Sequence, residues 1–388
     1  GEFILGGIIT QGDTITAVYS EREKEVTFEK MNMTADSSVQ KEKLTENVID
    51  GKGAYAIPGL IDLHFHGCMG DDFCDGDKEA IRRIAEYEAS VGVTAIAPAT
   101  MTLPVEELES ILKTAAEYKK ECENINQIET KNDKKRADFV GINMEGPFIA
   151  PEKKGAQNGA YIQAPSAETF RACQQASGGL IKLVTLAPEM EGSVEFIKEL
   201  KDEVHISVGH TTADYDTAKA AFEAGADHVT HLYNAMPPLN HRAPGVIGAA
   251  ADNNHVYAEL ISDGLHIHGS AIRAAFRMFG PERIVLISDS MMACGMENGE
   301  YELGGQKVFM KDRKATLADG TIAGSATCLY DCMKIAMSFD IPEADAIFAA
   351  TRNPAKSIGV YDRVGSISVG KEADMLLVDD EYHLKQVF

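Results

Sequence analysis

Apolar runs alternate with helix-period segments through the middle of the chain, and this alternation limits the possible folds more than any other feature. Candidate strands cover 57–66, 93–100, 139–145, 180–186, 204–210, 227–231, 255–261 and 284–289. Helical stretches separate most of them. In 77–90, Ala80, Ile81, Ile84, Ala85 and Glu88 recur at helical spacing, and Pro104 suits the first turn of a helix over 104–119. Segments 193–200, 212–224 and 270–279 follow the same logic. Such alternation argues for βα units on a parallel sheet. Eight strands spread over roughly 300 residues is the count for an α/β protein of the (β/α)8 TIM-type barrel class. An open doubly wound sheet is the competitor, but no GxGxxG follows the first strand.

The two ends read differently. Residues 1–56 hold short alternating stretches at 4–9 and 15–18 around Gly12-Asp13, and 365–378 repeats that style around Gly370. Neither end can bury a sheet alone, so both are expected to pair into one small β-sandwich domain. The expected division is 1–56 and 356–388 in that domain, with the barrel over 57–355. The charged stretch 129–136 reads as a solvated loop.

Charge and composition exclude several functions. Lys and Arg number 37 against 60 Asp and Glu, a net charge of −23. That field repels nucleic acid and anionic membrane, so neither is an expected partner, and an anionic small molecule needs cations placed locally against it. The seven cysteines are scattered without a CxxC pair and read as reduced thiols. No run approaches the roughly 18 apolar residues of a membrane span. The opening GEFILGG has neither basic region nor cleavage site, so no signal peptide is expected and the expected location is cytoplasmic.

The polar residues that interrupt this pattern sit at strand ends. In Ile61-Asp62-Leu63-His64-Phe65-His66-Gly67, period-two geometry puts Ile61, Leu63 and Phe65 on one face and Asp62, His64 and His66 on the other. Two imidazoles on one face can grip a metal ion, though alone they read equally well as histidines making ordinary hydrogen bonds. The other strands shift that balance, because they close on Glu145, His210, His231 and Asp289. A carboxylate at the tip of an apolar strand is costly unless solvated, paired or metal-bound. In a parallel barrel all these ends share one rim, where barrel active sites lie.

Five strands delivering His, Glu or Asp to one rim point to a metal site. Nitrogen and oxygen donors without thiolate suit Zn²⁺ or Fe²⁺ first, with Mn²⁺ and Co²⁺ compatible, one or two ions per chain. Asp289, the sole carboxylate ending the eighth strand, suits a general base that takes a proton from water and returns it to a leaving group. His205, His228 and His255 lie away from the strand tips and read as packing or supporting residues.

Substrate contacts are expected from the loops. Pro237-Pro238 forbids a helix after His231. Further along that loop, Arg242 beside His241 reads either as a surface pair or as local anion recognition, for which the forked guanidinium suits phosphate. His268 follows the seventh strand and is expected near the same pocket. The turn at 320–325, with Ile322, Ala323 and Gly324 at its centre, is a candidate for approaching a ligand through its backbone. The G-x-x-x-x-G-K at 365–371 is rejected as a phosphate loop: Glu372 takes the Ser/Thr position and a strand-like 375–378 follows. Cys328 and Cys332, four apart, read as core.

Pro58-Gly59-Leu60-Ile61-Asp62-Leu63-His64-Phe65-His66-Gly67 and Gly370-Lys371-Glu372-Ala373-Asp374 resemble the amidohydrolase superfamily. Within it, Met144-Glu145-Gly146-Pro147-Phe148, Val208-Gly209-His210-Thr211 and His231-Leu232-Tyr233-Asn234-Ala235-Met236 are similar to the N-acetylglucosamine-6-phosphate deacetylase family, and the resemblance spans nearly the whole chain. It implies metal-dependent hydrolysis of an acetamide, converting N-acetyl-D-glucosamine 6-phosphate to D-glucosamine 6-phosphate and acetate. It implies that Glu145, His210 and His231 bind the principal ion, that His64 and His66 hold a second, and that Asp289 is the catalytic aspartate.

Asn234, Ala235, Arg242 and His268 match sugar-phosphate contacts of that family, with Arg242 serving a neighbouring subunit in a homodimer or larger homo-oligomer. Ala156-Gln157 fall where some members carry a histidine that polarises the acetyl carbonyl. The alternatives are another superfamily hydrolase, of the cyclic-amidase or dihydroorotase kind, and a non-catalytic scaffold. Many of those hydrolases carry a carboxylated lysine on the fourth strand, and Leu183-Val184-Thr185-Leu186 offers none. A scaffold is expected to have lost metal ligands, and here the set is complete.

Overall fold

The computed structural model describes residues 3–23, 48–126 and 136–388, so the charged stretch at 129–136 lies, but for Arg136, outside the described residues. A hairpin of β1 (Gly6–Gln11) and β2 (Thr14–Ser20) comes first. Strand β3 (Tyr55–Pro58) then leads across Gly59 into β4 (Leu60–Asp62), the first strand of the barrel. A short hairpin, β5 (Gly67–Cys68) and β6 (Asp71–Asp72), precedes α1 (Lys78–Ser90). The carboxylate of Asp77 caps α1 by accepting from the backbone N–H groups of Glu79 and Ala80, and the helix buries Ala80, Ile81, Ile84, Ala85 and Glu88. This is the face anticipated from the spacing.

Strand β7 (Val93–Ile96), α2 (Val105–Asn126), β8 (Asp138–Phe139) and β9 (Ile142–Glu145) follow. The alternation continues through α3 (Ala167–Ala176), β10 (Ile181–Leu186), α4 (Ser193–Leu200), β11 (His205–Val208) and α5 (Tyr215–Ala224). It ends with β12 (His228–Val229), α6 (Gly245–Asp252), β13 (Tyr257–Ile261), α7 (Gly269–Phe279) and β14 (Ile284–Ile287).

These strands pair in parallel as β4-β7-β8 and as β9 through β14 in sequence order. Backbone bonds join the two arcs. Asn143 N–H donates to Pro98 C=O at 3.0 Å between β7 and β9, and Asp289 N–H donates to His64 C=O at 2.9 Å between the last strand and the first. With β8 and β9 counted as one interrupted strand, eight positions close into the expected barrel. Ile61, Leu63, Ala95, Val140, Ile261, Val285 and Ile287 form one buried cluster, joined by Ala355, Ile358, Val360 and Val364. The chain beyond residue 355 therefore still packs on barrel strands.

Two features depart from the pattern read in the sequence. Regular strand ends at Asp62, so His64 and His66 stand beyond it, and the two-residue alternation does not reach Phe65, which packs with Leu60 rather than with Ile61 and Leu63. The chain is already turning out of the sheet there, with His66 N–H bonded to Ser290 C=O at 2.7 Å. An antiparallel sheet of β15 (Gly299–Leu303), β16 (Gln306–Lys311) and β17 (Lys314–Thr316) also follows the barrel, unanticipated.

Helices α8 (Leu329–Ser338), α9 (Glu343–Ala350) and α10 (Arg352–Ser357) come next, then β18 (Met375–Val378) and β19 (Leu384–Val387). β18 pairs antiparallel with both β19 and β3. Ile15 N–H donates to Lys371 C=O, and Gly370 N–H to Ile15 C=O, both at 2.8 Å. The two ends of the chain thus build a small β-domain together, as their style implied. Lys371 lies over the Tyr361 ring, 3.3 Å from its centroid, which accounts for the lysine of the false phosphate loop. All seven cysteines are free, with Cys328 and Cys332 buried at the start of α8.

Candidate metal centre and substrate pocket

The polar residues of the rim reach one point because the backbone bends sharply where the strands stop. Glu145 is the last residue of β9, while His210, His231 and Asp289 each lie two residues past a strand. These three adopt left-handed backbone, with φ of 47°, 29° and 49°, and Tyr233 and Ala235 follow at 78° and 50°. Each such non-glycine residue costs roughly 1–2 kcal/mol, and this strain concentrates around the mouth of the barrel. Glycine is required beside Glu145 and His210. A Cβ on Gly146 (φ 79°) would meet Thr102 Oγ1 at 2.2 Å, and one on Gly209 would meet Thr230 Cβ at 2.5 Å.

Three side chains then converge. Glu145 Oε1 stands 3.1 Å from His210 Nε2 and 3.2 Å from His231 Nε2, and the two nitrogens are 3.0 Å apart. His210 Nδ1–H donates to Lys153 C=O at 2.7 Å, an acceptor only, so its Nε2 presents a lone pair to the cluster. Edges of about 3.3 Å separate the ligand atoms of a tetrahedral ion bound at about 2.0–2.1 Å, so the three donors fit a divalent cation with little movement. A second group adjoins them. His64 Nε2 is 3.3 Å from Glu145 Oε1, and His66 Nε2 is 3.4 Å from Glu145 Oε2 and 3.5 Å from Asp289 Oδ1. Glu145 belongs to both sets.

The electrostatics favour positive charge here. Burial raises the Glu145 carboxyl, but His64, His210 and His231 outweigh it and leave it well below the usual range. Burial lowers the His66 imidazole, yet Asp289 and Glu145 carry it up to about 10. Asp289 is likewise held low against burial, chiefly by His66. His64 Nε2, which faces Glu145 Oε1, is buried without a hydrogen-bond partner, as expected of an imidazole nitrogen turned towards an ion or water.

A cavity of about 610 Å³ opens above this centre. It brings together Glu145, His66, His210, His231 and Asp289 with Ala156, Gln157, Asn234, Ala235, Ile322 and Gly324 of the anticipated substrate residues. Gln157 is buried and bonded at both ends of its amide: its Oε1 accepts from Thr102 N–H at 2.6 Å and its Nε2 donates to Glu145 Oε2 at 2.7 Å. Arg242, His268 and Ala323 do not line the cavity. Arg242 is exposed on its loop, Ala323 is buried between its two lining neighbours, and His268 caps α7 by accepting from Ser270 N–H at 3.2 Å.

His266 reaches the cavity instead, steered by Asp263 at 2.7 Å. Lys153, Lys154 and Leu303 also line it, and Gln306 of β16 donates to Ala156 C=O, tying the unanticipated sheet to the loop that carries Gln157. Glu259 of β13 was missed as well. Its Oε2 accepts from His64 Nδ1 at 2.8 Å. No lysine of β10 ends at the mouth, since Lys182 is near the strand's start and Thr185-Leu186 close it.

Residues 55–388 match the profile described as Amidohydrolase family. The chain belongs to the amidohydrolase family. This amidohydrolase is 37% identical over 383 residues to an N-acetylglucosamine-6-phosphate deacetylase of Bacillus subtilis (strain 168), covering 98% of this chain and 90% of that one. Its fold is similar to the crystal structure of N-acetylglucosamine-6-phosphate deacetylase from Pasteurella multocida, with TM-score 0.85, 28% identity, and 100% of this chain and 94% of that one covered. It is also similar to a variant of the Mycobacterium smegmatis deacetylase in complex with N-acetyl-D-glucosamine-6-phosphate, with TM-score 0.83, 27% identity, and 99% and 93% covered.

Proposed function

We infer that this amidohydrolase removes the acetyl group from N-acetyl-D-glucosamine 6-phosphate, giving D-glucosamine 6-phosphate and acetate. The observation that carries the reading is the meeting of Glu145 Oε1 with His210 Nε2 and His231 Nε2 within 3.2 Å, in the same cavity as Asp289.

Glu145, His210 and His231 would hold the principal divalent ion, and His64 and His66 would hold a second beside it; Zn²⁺ or Fe²⁺ would suit these donors best. When bound, the ion supplies Lewis acidity, bringing the pKa of water from roughly 15.7 towards 7 and polarising the acetyl carbonyl. Asp289, kept ionised by its imidazole neighbours, takes the proton of the attacking water and delivers it to the departing amine. Gln157 holds the Glu145 carboxylate in place from one side. The hexosamine lies along the Ala156-Gln157 and Asn234-Ala235 loops, with the turn at 322–324 closing over it.

Arg242 and His268 lie outside this cavity, and Arg242 supplies its guanidinium to the phosphate bound by a neighbouring copy of the chain in a homodimer. β1–β3 from the start of the chain and β18–β19 from its end act as one β-domain beside the barrel, while Ile358, Val360 and Val364 pack on the barrel strands. The location is cytoplasmic, and among the described residues no helix is long and apolar enough to cross a membrane.

The test is acetate release from purified protein with N-acetylglucosamine 6-phosphate, N-acetylgalactosamine 6-phosphate and unphosphorylated N-acetylglucosamine. The glucosamine phosphate should be preferred by kcat/KM. No acetate from it, or equal rates with and without phosphate, would overturn the reading.

A further inference from the structure

We propose that Glu259 is a positioning residue that decides whether the His64/His66 side of the centre takes an ion. The inference rests on the two-ion reading above.

Glu259 is fully buried in the middle of β13. Its Oε2 accepts from His64 Nδ1 at 2.8 Å and from the backbone N–H of His231 at 3.3 Å. Its backbone C=O also accepts from Leu232 N–H at 2.8 Å. One residue therefore braces a ligand on each side of Glu145: the ring of His64 and the strained turn that carries His231.

The consequence follows from the inventory of imidazole protons. A neutral ring has one N–H, and an acceptor-only carboxylate at Nδ1 fixes it there, leaving Nε2 as a bare lone pair. Nε2 is the atom that faces Glu145 Oε1 at 3.3 Å and Asp289 Oδ1 at 3.8 Å, and it has no hydrogen-bond partner. Without Glu259 the opposite tautomer is favoured, because an N–H on Nε2 could donate to Glu145. That tautomer cannot bind an ion. His210 needs no such help, since Lys153 C=O fixes its ring independently, and the turn that carries His231 keeps its shorter bond, from Leu232 N–H to the Glu259 backbone C=O at 2.8 Å, when the side chain is changed. Loss of Glu259 should thus fall on one ion and spare the other.

The test compares wild type, Glu259→Leu and the conservative Glu259→Gln, each stripped with chelator and titrated with Zn²⁺, with ion content measured after desalting and folding checked by thermal melting. Wild type should take up two ions. Glu259→Leu should bind its second ion about 10- to 100-fold more weakly while the first changes little, the usual range for losing a supporting carboxylate. Glu259→Gln, which keeps an acceptor, should restore most of the second-site affinity.

Unchanged binding of both ions by Glu259→Leu, or equal loss of both in a folded protein, would overturn the proposal. If Glu259→Leu does not fold, the Nδ1–H of His64 in ¹⁵N-histidine-labelled, Zn²⁺-loaded wild type decides. A resonance shifted downfield by a carboxylate acceptor supports the proposal, and its absence removes it. A wild type that takes up one ion removes this proposal together with the two-ion reading. Acetate release by that same protein judges the catalytic reading separately.

Discussion

Replacing Asp289 with asparagine isolates proton transfer from everything else the centre does. The residue sits at φ 49°, where alanine would add backbone strain but asparagine is tolerated, so Asp289→Asn should leave the fold intact. It also stands outside the closest cluster of donor atoms. Its Oδ1 is 3.5 Å from His66 Nε2 and 3.8 Å from His64 Nε2, against 3.0–3.2 Å among Glu145, His210 and His231. Ion content at the principal site should therefore be retained. What disappears is a base able to accept a proton from water and return it to the amine, a contribution of roughly 10²- to 10⁴-fold. At about 1.4 kcal/mol per decade this is about 3–5 kcal/mol of barrier. Steady-state acetate release should show kcat reduced by that factor with KM within a few-fold of wild type, at matched metal content. A kcat within tenfold of wild type would refute the assignment, and a loss of bound ion would recast Asp289 as a ligand.

Three further outcomes follow from other parts of the molecule. Arg242→Ala should raise KM for phosphorylated substrate about 10- to 100-fold, the worth of a charged hydrogen bond, and leave unphosphorylated N-acetylglucosamine almost unchanged; equal effects on both would exclude a phosphate role. Glu88 is fully buried with neither carboxylate oxygen bonded, and burial raises its pKa well above the ordinary value. Its contribution is complete below the unfolded pKa near 4.5 and declines as pH rises. Glu88→Met should therefore gain about 1–3 kcal/mol at pH 7 and less at pH 4 in urea denaturation; a less stable variant at pH 7 would contradict this.

Asp138 behaves in the opposite sense. Burial raises its carboxyl, but Lys119 at 3.0 Å and Arg363 at 2.8 Å bring it down to about 2. Its stabilisation is present above the unfolded pKa near 3.8 and is lost as pH falls towards 2. Asp138→Asn should cost about 2 kcal/mol at neutral pH and nothing near pH 2, and a pH-independent loss would exclude the ion pairs as its source.

The barrel was legible because its signal is repeated: each βα unit shows the same change of period, and closure needs no long-range information. Glu145, His210, His231 and Asp289 were legible for a related reason, as polar residues ending apolar runs are conspicuous. Glu259 escaped because a lone carboxylate inside Tyr-Ala-Glu-Leu-Ile reveals nothing of its partner, which lies 195 residues away. The strand over Gln306–Lys311 did carry a period-two signal, with Val308 and Met310 buried and Lys307, Phe309 and Lys311 exposed. It lay outside the βα rhythm and went unread. His266 and His268 are two residues apart, and only the start of α7 separates their roles: one is turned to the cavity by Asp263, the other is spent as a cap. Where a helix begins to within one residue is not encoded strongly enough in local sequence to make that distinction.

The central claim is that residues distant in the chain assemble one ion-dependent hydrolytic site, and back-titration of stripped protein tests it most directly. Chelator-treated enzyme should release no acetate from N-acetylglucosamine 6-phosphate. Activity should return in proportion to Zn²⁺ or Fe²⁺ bound in wild type, and not in Glu145→Gln. Full activity in protein shown to be free of metal, or full recovery by Glu145→Gln, would contradict the account.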